Sequence, residues 1–101
     1  MTTYIVFTRE STTDGEELAT YNAAAPAAME GHPITPLAFY GKLEVLEGQD
    51  FEGAVIISFP TADEARAWYE SPLYKAAREH RFKGADYRVF MVDGVDVEAK
   101  G

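Results

Sequence analysis

The sequence predicts one α+β domain with its elements in the order β-α-β-β-α-β. Two kinds of segment predict it. Short runs rich in β-branched and aromatic residues read as strands, and between them lie stretches whose apolar residues recur at three- and four-residue steps. Capping residues and prolines mark the boundaries. A chain of 101 residues has room for one such domain, spanning 1–101.

Residues 4–9 read as the first strand, followed by the polar run Ser11-Thr12-Thr13-Asp14-Gly15. Thr13 with Glu16 has capping-box spacing, which predicts a helix carrying Leu18, Tyr21, Ala25, Ala28 and Met29 on one stripe. Pro26 falls inside it and is expected to kink or split it, because proline removes a backbone donor. Residues 31–36, with Pro33 and Pro36, read as a loop. Residues 37–46 read as the second strand with a bulge at Gly41, and 47–53 as an acidic hairpin loop. Residues 54–59 form a nearly continuous apolar third strand that stops at Pro60. Thr61 and Glu64 repeat the capping spacing and open a helix with Ala62, Ala65, Trp68 and Tyr69 on one face. Ser71-Pro72 breaks this second helix and restarts it, serine as cap and proline at the first helical position. Leu73, Ala76, Ala77 and His80 continue the stripe to Gly84, and residues 87–92 form the last strand. This order is the ferredoxin-like pattern, a four-stranded antiparallel sheet with its helices on one side.

Side chains alternate across a strand, so a sheet covered on one side reads apolar-in and polar-out. These strands do not. Ile5 and Phe7 oppose Tyr4 and Val6; Val55, Ile57 and Phe59 oppose Ala54 and Ile56; Val89 and Met91 oppose Phe90 and Val92. Both faces are apolar, and the simplest cover for the second is the same face of another copy. A homodimer through the sheet is therefore expected. The alternative cover is the tail after Gly94, which is short and half polar and could also extend or swap an edge strand.

The net charge is −8, from 9 Lys and Arg against 17 Asp and Glu, so no nucleic-acid or anionic-membrane partner is expected. There are no cysteines, which excludes disulfides, thiolate catalysis and cysteine zinc sites. With no secretory signal and no spanning segment legible, the expected location is the cytoplasm. No phosphate loop, Gly-x-Ser-x-Gly or kinase signature is present, and no cofactor is expected.

Tyr21 to Met29 (YNAAAPAAM), Glu44 to Gly48 (EVLEG) and above all Ser58 to Arg81 (SFPTADEARAWYESPLYKAAREHR) carry a resemblance. With Gly84-Ala85-Asp86 and Val92-Asp93-Gly94-Val95, they resemble the domain-of-unknown-function family thirteen-thirty, of the dimeric α/β-barrel superfamily. The resemblance implies a ferredoxin-like protomer whose sheet packs on its mate as a homodimeric α/β-barrel. It implies no general activity. Relatives in the superfamily include cofactor-independent monooxygenases, lactone isomerases, haem-degrading enzymes and plain binding proteins. The usual glycine-rich link into the second strand is replaced here by His32-Pro33-Ile34-Thr35-Pro36.

Few residues are candidates for chemistry. His32 and His80 lack metal-ligand spacing, and no carboxylate is placed in sequence to orient either; no metal is expected. Arg81 reads either as an anion clamp or as a structural salt bridge, with Glu44 a candidate partner. Tyr21, Tyr40 and Tyr74 read as core aromatics, or as the wall of a pocket between helices and sheet with Arg81 at its rim. The expected site is thus Arg81, Tyr21, Tyr40, Tyr74 and His32, for a small aromatic or carboxylated molecule. The rivals are a cofactor-independent monooxygenase or isomerase, and a structural interaction module without ligand.

Overall fold

A computed structural model describes residues 1–95. The elements are β1 (Thr3–Thr12), α1 (Gly15–Met29), β2 (Thr35–Phe39), β3 (Gly53–Phe59), α2 (Ala62–Tyr69), α3 (Pro72–Gly84) and β4 (Ala85–Asp93). The strands form one antiparallel sheet in the order β2-β3-β1-β4, the ferredoxin-like topology. The second helical region is broken between α2 and α3, with Ser71 as cap and Pro72 opening α3. The two readings of the tail concern residues 95–101, which apart from the exposed Val95 lie outside the described residues.

The core lies between helices and sheet. Ile5 and Phe7 of β1 and Val55, Ile57 and Phe59 of β3 face it, and Trp68, Tyr74 and Ala77 close it from above. Trp68 is its hub, 4.1 Å centroid to centroid from Tyr74 and 5.7 Å from Phe59. The opposite sheet face carries an apolar row across all four strands, Ala38 beside Ile56, Ile56 beside Val6 and Val6 beside Phe90. Phe90 and Val92 are each 48% exposed there.

Several boundaries differ from expectation, each for a local reason. Asp14, not Thr13, caps α1; its carboxylate accepts from the Glu16 and Glu17 amides at 3.1 and 3.3 Å. Thr13 is drawn off by α3: its amide donates to the Gly84 carbonyl and its hydroxyl to that of Lys83. Pro26 does not split α1, which continues to Met29. The second strand stops at Phe39, and its register shift falls between Pro36 and Ala38 rather than at Gly41. Tyr40 then turns the chain with φ 53°, and residues 41–52 leave the sheet. The buried stripe of α3 is Tyr74, Ala77, Arg81 and Gly84; Leu73 and Ala76 are exposed.

The far end of this loop is held by Glu52. Its carboxylate accepts from the Thr12 hydroxyl at 2.6 Å, the Thr12 amide at 3.2 Å and Arg9 Nε at 3.0 Å. Thr12 first, and Arg9 after it, hold the Glu52 carboxyl below its ordinary value of 4.5. A carboxyl depressed on folding stabilises the anchored loop above its unfolded pKa, and that contribution is lost as pH falls through the lower folded value. Acidification is expected to release Glu52 at a pH below 4.5, read as a shared NMR titration of the Glu52 side chain and the Thr12 amide. A Glu52 titrating at or above 4.5 with Thr12 unmoved would contradict the anchor.

Candidate functional site

A cavity of about 250 Å³ lies between α1 and the sheet. Its cause is legible in α1, where Tyr21 and Met29 are large but Ala25 and Pro26 between them are small. The helix therefore leaves a space above Val55 and Ile57 that no side chain fills. Pro36 and Phe39 of β2 wall one side, and Tyr40, Trp68 and Tyr74 complete the aromatic lining. Three of the five expected site residues, Tyr21, Tyr40 and Tyr74, thus come together at one cavity.

The tyrosines are paired. Tyr21 and Tyr74 share a hydrogen bond between hydroxyls at 2.8 Å, and the Tyr40 hydroxyl meets that of Tyr87. Burial, then the neighbouring hydroxyl, pushes Tyr21 and Tyr40 well above the usual phenol range. Burial also raises Tyr74, against the opposing charge of Arg81. These hydroxyls stay protonated at neutral pH and serve as hydrogen-bonding groups rather than bases. Tyr40 owes its position to Gly53: a Cβ there would lie 2.8 Å from its ring.

Arg81 is 3% exposed, not at a rim. It makes no ion pair among the described residues, so the expected partnership with Glu44 is absent; Glu44 is exposed in the loop. Its guanidinium instead lies 5.1 Å from the ring centre of Tyr87, 5.2 Å from Phe82, 5.7 Å from Phe7 and 5.9 Å from Tyr21. Nη2 donates to the Tyr69 hydroxyl at 3.2 Å, and Nε has no partner. Arg81 stands behind the tyrosine wall, one layer from the cavity.

His32 is placed elsewhere, beside a separate shallow depression with Thr2, Ser58 and Pro60. His80 does have a carboxylate, contrary to expectation: its Nδ1 is 2.7 Å from Glu17 Oε1, tying α3 to α1. Their separation of 63 residues in sequence hid the pair. Tyr87 was missed as well, although alternation along β4 puts it on the same face as Val89, toward the helices. No group of three or more His, Asp or Glu side chains that could hold a metal ion occurs among the described residues. Nor is any described helix long and apolar enough to cross a membrane.

A family model, Domain of unknown function (DUF1330), matches residues 2–95. The chain belongs to that family. Its fold is shared by solved structures of low identity. One is the RPA0582 protein of unknown function from Rhodopseudomonas palustris, with TM-score 0.75 and 17% identity over 94% of this chain and 83% of that one. Another is a dimeric ferredoxin-like protein of unknown function from Thermobifida fusca, with TM-score 0.64 and 16% identity over 93% and 92%. A third is SnoaB, a cofactor-independent oxygenase from Streptomyces nogalater, with TM-score 0.61 and 11% identity over 94% of each chain. No curated protein matches this DUF1330 chain. At these identities the likeness is one of fold.

Proposed function

We propose that this DUF1330 protein is a homodimer closed through its open sheet face, and that each protomer binds one small, mostly apolar ring compound between α1 and the sheet. The observation that carries the binding reading is the cavity itself, about 250 Å³ with an aromatic and aliphatic wall and paired tyrosine hydroxyls. A structural module without ligand has no need of that space, since an unfilled core costs stability. The dimer reading draws on the apolar row Ala38-Ile56-Val6-Phe90 and on the dimeric ferredoxin-like protein of Thermobifida fusca. A cytoplasmic setting goes with the cysteine-free composition.

The oxygenase or isomerase alternative has the SnoaB likeness behind it and less geometry. Neither histidine lines the cavity, and the tyrosines that do are held protonated. His32 drops out of the proposed site, and Tyr21, Tyr40 and Tyr74 remain in it.

A thermal-shift screen with benzyl alcohol, indole and phenylacetate tests the reading. A binding compound is expected to raise Tm by about 5 °C or more at roughly tenfold its Kd. Ala25→Leu, which fills the cavity from α1, is expected to abolish the shift while keeping the protein folded. No shift with any compound, or an unchanged shift in Ala25→Leu, would count against the cavity as the site.

A further inference from the structure

Resting on the cavity reading above, we infer that the ligand is a small carboxylic acid, its ring in the cavity and its carboxylate against the Tyr21–Tyr74 hydroxyls under the charge of Arg81. Arginine keeps its charge in proteins and brings five N–H donors. Arg81 is 3% exposed, its Nη2 donates to the Tyr69 hydroxyl at 3.2 Å, the Tyr74 hydroxyl is a second hydrogen-bonding neighbour, and Nε has no partner. Both of these neighbours are phenols, each carrying a proton of its own. The Tyr21–Tyr74 bond uses one of that pair's two hydroxyl protons, so one is left over. The Tyr69 hydroxyl accepts from Arg81 and retains its own proton as well. The cluster is therefore rich in donors and holds no anion among the described residues.

A buried cation without a counter-charge is costly, and the surrounding ring faces offset only part of that cost. A ligand carboxylate supplies what is missing. It accepts the surplus hydroxyl proton as a hydrogen bond and places negative charge near the guanidinium, in an apolar surround that strengthens the attraction. Arg81 already acts on both tyrosines, its charge opposing the rise that burial imposes on their pKa values. Tyr21 is the link between the two layers: it lines the cavity, and its ring lies 5.9 Å from the guanidinium.

Isothermal titration of the intact protein with matched acid and alcohol pairs tests this: benzoate and benzyl alcohol, phenylacetate and phenylethanol, cyclohexanecarboxylate and cyclohexylmethanol. In the best-binding pair the acid is expected to bind at least about tenfold more tightly than its alcohol, the size of a charge-assisted hydrogen bond. Arg81→Met is expected to erase that preference and Arg81→Lys to restore part of it. The double variant Tyr21→Phe/Tyr74→Phe, which removes both hydroxyls of the pair and keeps both rings, is expected to weaken the acid about tenfold and the alcohol less than about twofold. It carries the test if Arg81→Met does not fold. Acid and alcohol bound equally would overturn the carboxylate inference and leave the cavity reading standing. Binding of neither would overturn both.

Discussion

The homodimer proposed above is expected to fall apart into monomers on Phe90→Asp. Phe90 closes the row Ala38-Ile56-Val6-Phe90 on the sheet face that no helix covers, and it is 48% exposed in the single chain. If about 500 Å² of this face is apolar, covering it is worth on the order of 10 kcal/mol before association costs. A two-fold axis places each substitution in the interface twice. An unpaired carboxylate there costs at least about 2 kcal/mol per copy, so the dimer is weakened by roughly a thousandfold or more. Sedimentation velocity reads the change directly, and circular dichroism should show the monomer still folded, because Phe90 supports no core contact. Val89 gives the contrast. It pairs with Phe7 on the helix side and packs against the core, so Val89→Asp is expected to unfold the protomer instead. A Phe90→Asp protein that sediments as a dimer would remove the sheet face as the interface.

Gly84→Ala is expected to lower Tm by on the order of 10 °C, from about 2 kcal/mol of overpacking. Gly84 is where α3 meets the start of α1. A Cβ there would lie 2.6 Å from the Leu18 amide nitrogen, 3.0 Å from its Cα and 3.1 Å from the Asp14 carbonyl oxygen. All of these are backbone atoms that no rotamer change can move aside. The Gly84 carbonyl also accepts from the Thr13 and Asp14 amides at 2.8 and 2.9 Å, so the helices cannot separate there without loosening both bonds. The disturbance runs along the same seam to Leu18 in the core and to the Glu17–His80 pair. Gly41→Ala is the control, with nothing within 4 Å of its added carbon and an expected change within about 0.5 kcal/mol. Equal denaturation midpoints for the two variants would mean that the α1–α3 contact is not this close.

Both expectations turn on what neighbours a residue has, and that divides what was legible in the sequence from what was not. Thr61 and Ser71 cap their helices as the sequence reads, because a cap and the amide it satisfies are three residues apart. The two-faced strands were legible for the same reason, alternation being a property of consecutive residues. Thr13 was misread because its amide and hydroxyl are taken by Gly84 and Lys83, from a helix far along the chain. Gly84 read only as a helix end, and the contact that requires glycine lies on α1. The α3 stripe was misjudged by one residue, so Arg81 read as a residue at a pocket rim or in a salt bridge with Glu44 when it is buried among rings. Of the candidate site, the residue types could be chosen from the sequence, but His32 had no signal to exclude it.

By itself, the sequence determined the order of the elements, the broken second helix, the apolar character of both sheet faces and membership of a family of unknown function. Those rest on periodicity, capping chemistry and local motifs, which act within a few residues. Only the tertiary structure decided that Tyr21 and Tyr74 bond to each other in a cavity wall, that His80 finds Glu17, and that Arg81 is buried with no ion pair among the described residues. Partners 53 and 63 residues apart are joined by helix packing against the sheet, and nothing in the spacing along the chain encodes which of them meet.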